Sequence, residues 1–224
     1  MLIREWMTTA VISAKEDASM LKVQKLMQEH GIKRIPIVDN EMKLIGIVSD
    51  RDIKEASPSK ATTLDIHELS YLLSELKIRD IMTKNPVCVS PMDTIEQAAL
   101  IMLEKKLTGL PVIDWEHKLV GIITEADIFK IFVEISGIRR GGIQFALELS
   151  EEPGTLPPVL DLIRENGGQL VSVLTGGYKD NDTMRDVYIR IRPMSETEEN
   201  NLIEKMKAFC KVVYWVKDKV HMVG

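Results

Sequence analysis

The sequence predicts an α+β chain made of two tandem β-α-β-β-α repeats and a C-terminal βαββαβ domain. Three observations carry this. First, Gly46-Ile47-Val48-Ser49-Asp50-Arg51-Asp52 returns as Gly121-Ile122-Ile123-Thr124-Glu125-Ala126-Asp127, at an offset of 75 residues. Second, the same offset carries Met7-Thr8 onto Met82-Thr83, Met27 onto Met102, Pro36 onto Pro111 and Asp39 onto Asp114, without a gap from Arg4 to Ile53. Third, the pattern changes after Gly142 to strand alternation and helical spacing in a new order. A repeated unit needs a neighbour to bury its apolar face, so the two copies are expected to pack about a pseudo-twofold axis.

In the first copy, Met7 to Ile12 reads as a leading strand. Asp17 or Ser19 stands where a cap belongs, and Met20, Val23, Leu26 and Met27 form a stripe at helical spacing. The second copy offers Ile95, Ala98, Ala99, Met102 and Leu103 after Thr94. Each helix is followed by a short apolar strand ending in aspartate, Ile35-Pro36-Ile37-Val38-Asp39 and Leu110-Pro111-Val112-Ile113-Asp114. Proline inside these strands marks an edge or bulged position. Turns through Asn40-Glu41 and Trp115-Glu116 lead into the glycine-bearing strands. Between the copies, Ser57-Pro58-Ser59 breaks the helix, and Leu69, Leu72, Leu73 and Leu76 fit an amphipathic helix.

The heptad carries the chemistry. Its β-branched run predicts a buried strand, and Ser49 and Thr124 then sit at helix N-caps with Asp52 and Asp127 three residues on. That is a capping box with aspartate in the acidic position. Two capped helices without a ligand would satisfy the pattern. A binding site would also satisfy it. Gly46 and Gly121 allow close approach to the backbone, a helix start attracts phosphate, and a carboxylate one turn in accepts hydrogen bonds from a ribose diol. The copies differ in charge: Lys33, Arg34 and Arg51 in the first become Thr108, Gly109 and Ala126 in the second. The first is therefore better equipped for phosphate.

Composition narrows the classes of function. A net charge of −5 argues against a general nucleic-acid binder, and there is no helix-turn-helix with a basic recognition helix. No apolar run reaches the ~18 residues needed to span a bilayer. The N-terminal Met-Leu-Ile-Arg-Glu-Trp meets charge at once, and a cytoplasmic, membrane-free protein is expected. Cys88 and Cys210 read as buried structural thiols, and the four histidines lack partners at metal spacing. No Ser/His/Asp set, metal cluster or phosphate-binding Gly-x-x-x-x-Gly-Lys loop is present, so no enzyme is expected and no cofactor is required.

The C-terminal part begins after Ile135 to Gly142, a glycine-rich basic boundary. Ile143 to Leu149 alternates as a half-buried strand. Glu152-Pro153-Gly154-Thr155-Leu156 turns into a helix with Thr155 as candidate cap, running over Val159, Leu160 and Ile163 to a stop at Asn166-Gly167-Gly168. Leu170 to Leu174 and Val187 to Ile191 are strands. Ser195 opens a helix bearing Leu202, Ile203, Met206 and Phe209, and Val212 to Val216 is the last strand. This order predicts an antiparallel ferredoxin-like sheet with both helices on one face.

The duplicated unit, with Met-Thr at its start, Ile-Pro-Ile-Val-Asp or Leu-Pro-Val-Ile-Asp in its middle and Gly-h-h-Ser/Thr-x-x-Asp (h apolar) at its end, resembles the CBS-domain pair, or Bateman module. The likeness runs from about Arg4 to Ser136. It implies repeats at 1–57 and 79–136, with 58–78 and 137–142 as linkers and 143–224 as the last domain. It also implies a regulatory protein binding an adenosyl ligand (AMP, ADP, ATP or S-adenosylmethionine, with NAD as an alternative) in clefts between the repeats. Asp52 and Asp127 would hold ribose hydroxyls, with Ser49 and Thr124 near the ribose or phosphate. Ile32 to Pro36 and Leu107 to Pro111 would frame the adenine, including Lys33, Arg34, Thr108 and Gly109. Lys33, Arg34 and Arg51 are the inferred phosphate partners.

Glu-Glu-Pro-Gly-Thr-Leu followed by Gly-Gly resembles an ACT domain, a fold used to sense amino acids at dimer interfaces. The likeness makes Glu152, Gly154, Thr155 and Leu156 a candidate effector loop, although the family's Asp/Asn-x-Pro-Gly-x-Leu is here preceded by an acidic pair. A purely structural, dimerising ACT domain is the other reading. The whole arrangement resembles acetoin-utilisation (AcuB-like) proteins, which implies a homodimer signalling to its ACT half or to a regulated protein. A scaffold with vestigial clefts is the alternative.

Overall fold

A computed structural model describes residues 1–57, 71, 75–178 and 183–218. Leu69, Leu72 and Leu73 of the expected inter-repeat helix lie outside them. The chain forms two compact units, Met1–Ile128 and Phe129–Gly224.

In the first unit, α1 (Met20–His30), β1 (Arg34–Val38), β2 (Leu44–Ser49) and α2 (Asp50–Ala56) form one copy. β3 (Thr83–Lys84), α3 (Ile95–Lys105), β4 (Gly109–Ile113), β5 (Leu119–Thr124) and the start of α4 (Glu125–Ser136) form the other. Ser19, not Asp17, caps α1 by accepting from the Lys22 N–H, and Thr94 and Gln97 close a reciprocal capping box on α3. Met20, Val23 and Met27 are buried as the periodicity requires, and so are Ile95, Ala98 and Met102. Leu103 is not part of that stripe: it lies one position beyond Met102 and is 77% exposed.

β1 pairs antiparallel with β2, and β4 with β5, each with a bulge at the same repeat position, Ile37/Val38 and Val112/Ile113. The aspartates that end these strands build the turns. Asp39 Oδ1 accepts from the Glu41 and Lys43 N–H groups at 2.9 Å each, and Asp114 Oδ1 does the same for Glu116 and Lys118. Such side-chain acceptance stabilises a turn directly. The left-handed residue falls on Met42 (φ 68°) and His117 (φ 63°), after the expected Asn40-Glu41 and Trp115-Glu116. There the hairpins meet, Leu44 N–H donating to the His117 carbonyl and Leu119 N–H to the Met42 carbonyl, both at 3.0 Å.

The leading strand expected over Met7–Ile12 is corrected. It is not a strand within its own copy. Thr8 instead exchanges two 3.0 Å backbone bonds with Ile122 of the second copy, and β3 of the second copy pairs with β2 of the first through Gly46↔Lys84 and Ile47↔Thr83. Only further along does the segment return home, where Ala14 bridges Ile37. Each copy therefore completes the sheet of the other. Glycine makes room at the crossing, because a Cβ on Gly121 would lie 2.5 Å from Met7 Sδ and one on Gly46 the same distance from Met82 Sδ, so either methionine would have to move.

The second unit carries β6 (Gly142–Ser150), α5 (Leu156–Glu165), β7 (Leu170–Tyr178), β8 (Met184–Ile191), α6 (Glu196–Phe209) and β9 (Lys211–Asp218). Its sheet has the order β7-β8-β6-β9 and is antiparallel throughout. Phe145, Leu147 and Ile189 from the strands pack with Val159, Ile163, Leu202 and Met206 from the helices. Thr155 does not cap α5. Its φ and ψ are helical, and its hydroxyl donates instead to the Ser150 carbonyl at 2.9 Å. Ser195 and Glu198 form a full capping box on α6, whereas Phe209 at its end is 53% exposed rather than core. α4 ends at Gly137 (φ 68°), and the Ser136 carbonyl accepts from Ser172 Oγ and Arg190 Nε at 2.8 Å each. The 137–142 segment thus starts from an anchored point.

Two stability outcomes follow from these positions. Gly31 and its counterpart Lys106 both close a helix in the left-handed region, at φ 62° and 54°. Lys106→Gly should stabilise by about 0.5–1 kcal/mol and Gly31→Lys should destabilise by a similar amount, read by urea denaturation. Gly46→Ala should cost about 1–3 kcal/mol from the forced move of Met82. In Met82→Ala the same glycine substitution should cost measurably less.

Candidate nucleotide-binding clefts

Each candidate cleft is built at the junction of a β-strand and the helix that follows it. In the first copy, β2 ends at Ser49 and α2 starts at once. Ser49 N–H and Oγ both donate to Asp52 Oδ2 at 2.7 Å, and Ser49 Oγ accepts from the Asp52 N–H at 3.3 Å. The second copy repeats this with Thr124 and Asp127, at 3.0, 2.7 and 3.3 Å. The capping geometry expected for the heptad is thus present twice. Ser49, Asp52, Thr124 and Asp127 are all partly exposed, so a ligand can reach them. Asp52 and Asp127 accept these bonds through one carboxylate oxygen, Oδ2.

The strand starts that would frame an adenine lie beside these helix starts. Asp50 N–H donates to the Lys33 carbonyl at 2.8 Å and Glu125 N–H to the Thr108 carbonyl at 3.2 Å. That places Ile32, Lys33 and Arg34 next to Ser49 and Asp52, and Leu107, Thr108 and Gly109 next to Thr124 and Asp127. Pro36 and Pro111 are buried inside β1 and β4, pairing with Ile47 and Ile122.

The three inferred phosphate partners have different surroundings. Lys33 is exposed, and its carbonyl accepts from the Asp50 N–H at the start of α2. Arg51 is not held toward a cleft: it is exposed, and its Nε donates to Glu55 Oε1 at 2.7 Å, a pair four residues apart along the outside of α2. Arg34 is half-buried. Its guanidinium lies against Gly109, where a side-chain carbon would collide with Nη1, so it reaches from its own strand to the equivalent point of the other copy. Burial pulls Arg34 below the ordinary arginine range, while Glu125 and Asp50 push it back up. Nη1 is shielded from solvent without a hydrogen-bond partner among the described residues. Asp50 is held below the ordinary carboxylate range by the Lys54 ammonium, with help from Lys33.

The sequence offers Asp50 and Glu125 only as carboxylates for an alternative, slow nucleotide hydrolysis in the cleft, and not as neighbours of Arg34. The repeat itself held the signal, since the 75-residue offset pairs Asp50 with Glu125 and Arg34 with Gly109. A separate charged depression lies at the joined hairpin tips, lined by Glu41, Lys43, Glu116 and Lys118. Its lysines are paired with Glu41 and Glu116, which raise them above the ordinary lysine range.

In the second unit, Glu152 and Gly154 are exposed on the β6–α5 loop, Gly154 with φ 89°, while Thr155 and Leu156 are partly buried. The Thr155 hydroxyl is committed to Ser150 and also accepts from Arg185 Nη2 at 3.5 Å. Cys88 and Cys210 are free and only partly buried, and burial pushes both thiols up. Among the described residues there is no cluster of three or more His, Cys, Asp or Glu able to hold a metal, and no helix long and apolar enough to cross a membrane.

Comparison with known proteins fits this geometry. The crystal structure of CBSX2 in complex with AMP is 29% identical, covering 60% of this chain and 98% of that one, with a TM-score of 0.50. A putative acetoin utilization protein (AcuB) from Vibrio cholerae is 28% identical, covering 62% and 95%, with a TM-score of 0.52. An inosine-5'-monophosphate dehydrogenase of Methanocaldococcus jannaschii is 32% identical over 120 residues, 54% of this chain and 21% of the enzyme. A CBS domain-containing protein of Dictyostelium discoideum is 28% identical over 60% of this chain and 92% of its own length. The chain thus spans nearly all of the last relative but only about a fifth of the dehydrogenase. The CBS-domain family model matches residues 3–59 and 78–134, the two copies that complete each other's sheets, and the chain belongs to the CBS-domain family as a tandem pair.

Proposed function

We propose that this protein is a non-catalytic regulator that binds an adenine nucleotide of the AMP type at the two clefts of its CBS pair. The observation that carries this reading is the twofold constellation of Ser49 with Asp52 and Thr124 with Asp127, each on a glycine-strand-to-helix junction. A helix start supplies unpaired N–H groups to a phosphate, and the carboxylate can receive a ribose diol. Lys33 and Arg34 add positive charge at the first junction. AMP is the ligand in the CBSX2 complex, which favours it over S-adenosylmethionine or NAD as the first compound to test.

The regulatory output follows from chain continuity. α4 begins with the Thr124–Asp127 cap and ends at Ser136, whose carbonyl is fixed by Ser172 and Arg190. A ligand that favours one setting of the cap acts on the helix only by its differential affinity for the two settings. We assign the βαββαβ unit, 143–224, to the ACT type, with Glu152 to Leu156 as the place for an amino-acid effector. We take the repeats as 1–57 and 79–136, the working form as a cytoplasmic homodimer and the regulated protein as its partner.

A scaffold reading has one observation in its favour, since the carboxylates already serve as caps and need no ligand. Isothermal titration of the nucleotide-stripped protein with AMP, ATP, S-adenosylmethionine and NAD separates the two. The regulator reading expects micromolar AMP binding at two sites, with Asp52→Ala and Asp127→Ala each abolishing one. The scaffold reading expects no heat from any compound, and only the loss of a cap, about 1 kcal/mol, in the variants.

A further inference from the structure

The two clefts are not equivalent, and one side chain makes the difference. The repeat offset maps Arg34 onto Gly109 and Asp50 onto Glu125. The Arg34 guanidinium occupies the space that a side chain on Gly109 would need. It also feels both Asp50 and Glu125, the first residues of the two helices that carry Asp52 and Asp127. A residue that faces its own counterpart and both of a symmetry-related pair sits at the pseudo-twofold position. Only one copy supplies a side chain there.

That guanidinium is incompletely used. Its Nη1 is shielded from solvent without a hydrogen-bond acceptor among the described residues. A planar fork of N–H donors matches phosphate oxygens, and a buried donor without an acceptor gains most when one arrives. The second copy has no cation to replace it, because Thr108, Gly109 and Ala126 stand where Lys33, Arg34 and Arg51 do in the first.

We propose that Arg34 is a single phosphate-binding residue shared by both clefts, so that the first nucleotide to engage it weakens the binding of the second. The proposal rests on the nucleotide reading above and adds a regulatory property to it, negative coupling between identical ligands. Coupling of this kind is reciprocal, and it disappears for a ligand without a phosphate.

The test is titration calorimetry of the full-length protein, freed of bound nucleotide, with AMP and with adenosine. Wild-type protein should bind AMP in two steps whose affinities differ by about tenfold or more, the size expected for one hydrogen-bonded charge. Adenosine should show two steps of nearly equal affinity. Arg34→Gly, which copies the second repeat, should lose the tight AMP step and bring the two steps together. Arg34→Met keeps the buried stem and should do the same, which guards against a folding defect in the glycine variant. Equal AMP affinities in the wild type would overturn the shared-arginine proposal and leave the nucleotide reading standing. So would unequal affinities that persist in both variants. An absence of AMP binding by a folded wild type would overturn both.

Discussion

The structure depends on the exchange of leading segments between the two repeats. Thr8 pairs with Ile122, Thr83 pairs with Ile47, and Met7 and Met82 cross over Gly121 and Gly46. A CBS repeat of this chain has a short two-stranded hairpin of its own, and such a hairpin is marginal in water. The borrowed segment covers its open edge and drops a methionine onto the glycine. The same logic holds at the helix starts, where Ile78 of the second copy is buried with Met20, Val23 and Ile35 of the first. The pair is therefore the folding unit.

Within that pair, near-symmetry of backbone carries asymmetry of charge. Both helix starts keep the hydroxyl and the carboxylate, because the cap is needed in each copy. The cationic positions are free to differ. Lysine and arginine at 33 and 34 give way to threonine and glycine at 108 and 109, and the room left by Gly109 is taken by Arg34 itself. One substitution in a duplicated frame thus changes two places, the one that gained the guanidinium and the one against which it packs.

The second unit obeys simpler rules. Its core comes from alternating positions of β6 and β8 and from the inner stripes of α5 and α6. The Ser136 carbonyl at the end of α4 is held by two donors from the sheet. Arg190, which supplies one of them, is 4% exposed despite its charge and also donates to Gln144. Nε and Nη2 thus meet fixed acceptors, which offsets much of the cost of burying this guanidinium.

The sequence by itself determined the duplication, the element order and the caps. Strand alternation, Ser/Thr-x-x-Asp spacing and glycine stops act over a few residues, and Ser49, Thr94, Gly31 and Ser195 do locally what their neighbours require. Its errors lie where a local pattern meets a distant partner. Leu103 and Phe209 continue a helical stripe yet face outward, and Thr155 has cap chemistry but finds the Ser150 carbonyl first. Met7–Ile12 has strand composition, but its ladder bonds are those of Thr8, and they go to the other copy. Arg34 belongs to the first copy, and its guanidinium lies against Gly109 of the second. Only the tertiary structure decided the last two, because they depend on which surfaces of the two copies approach each other, and Gly46, Gly109 and Gly121 make room for that approach by the side chains they lack.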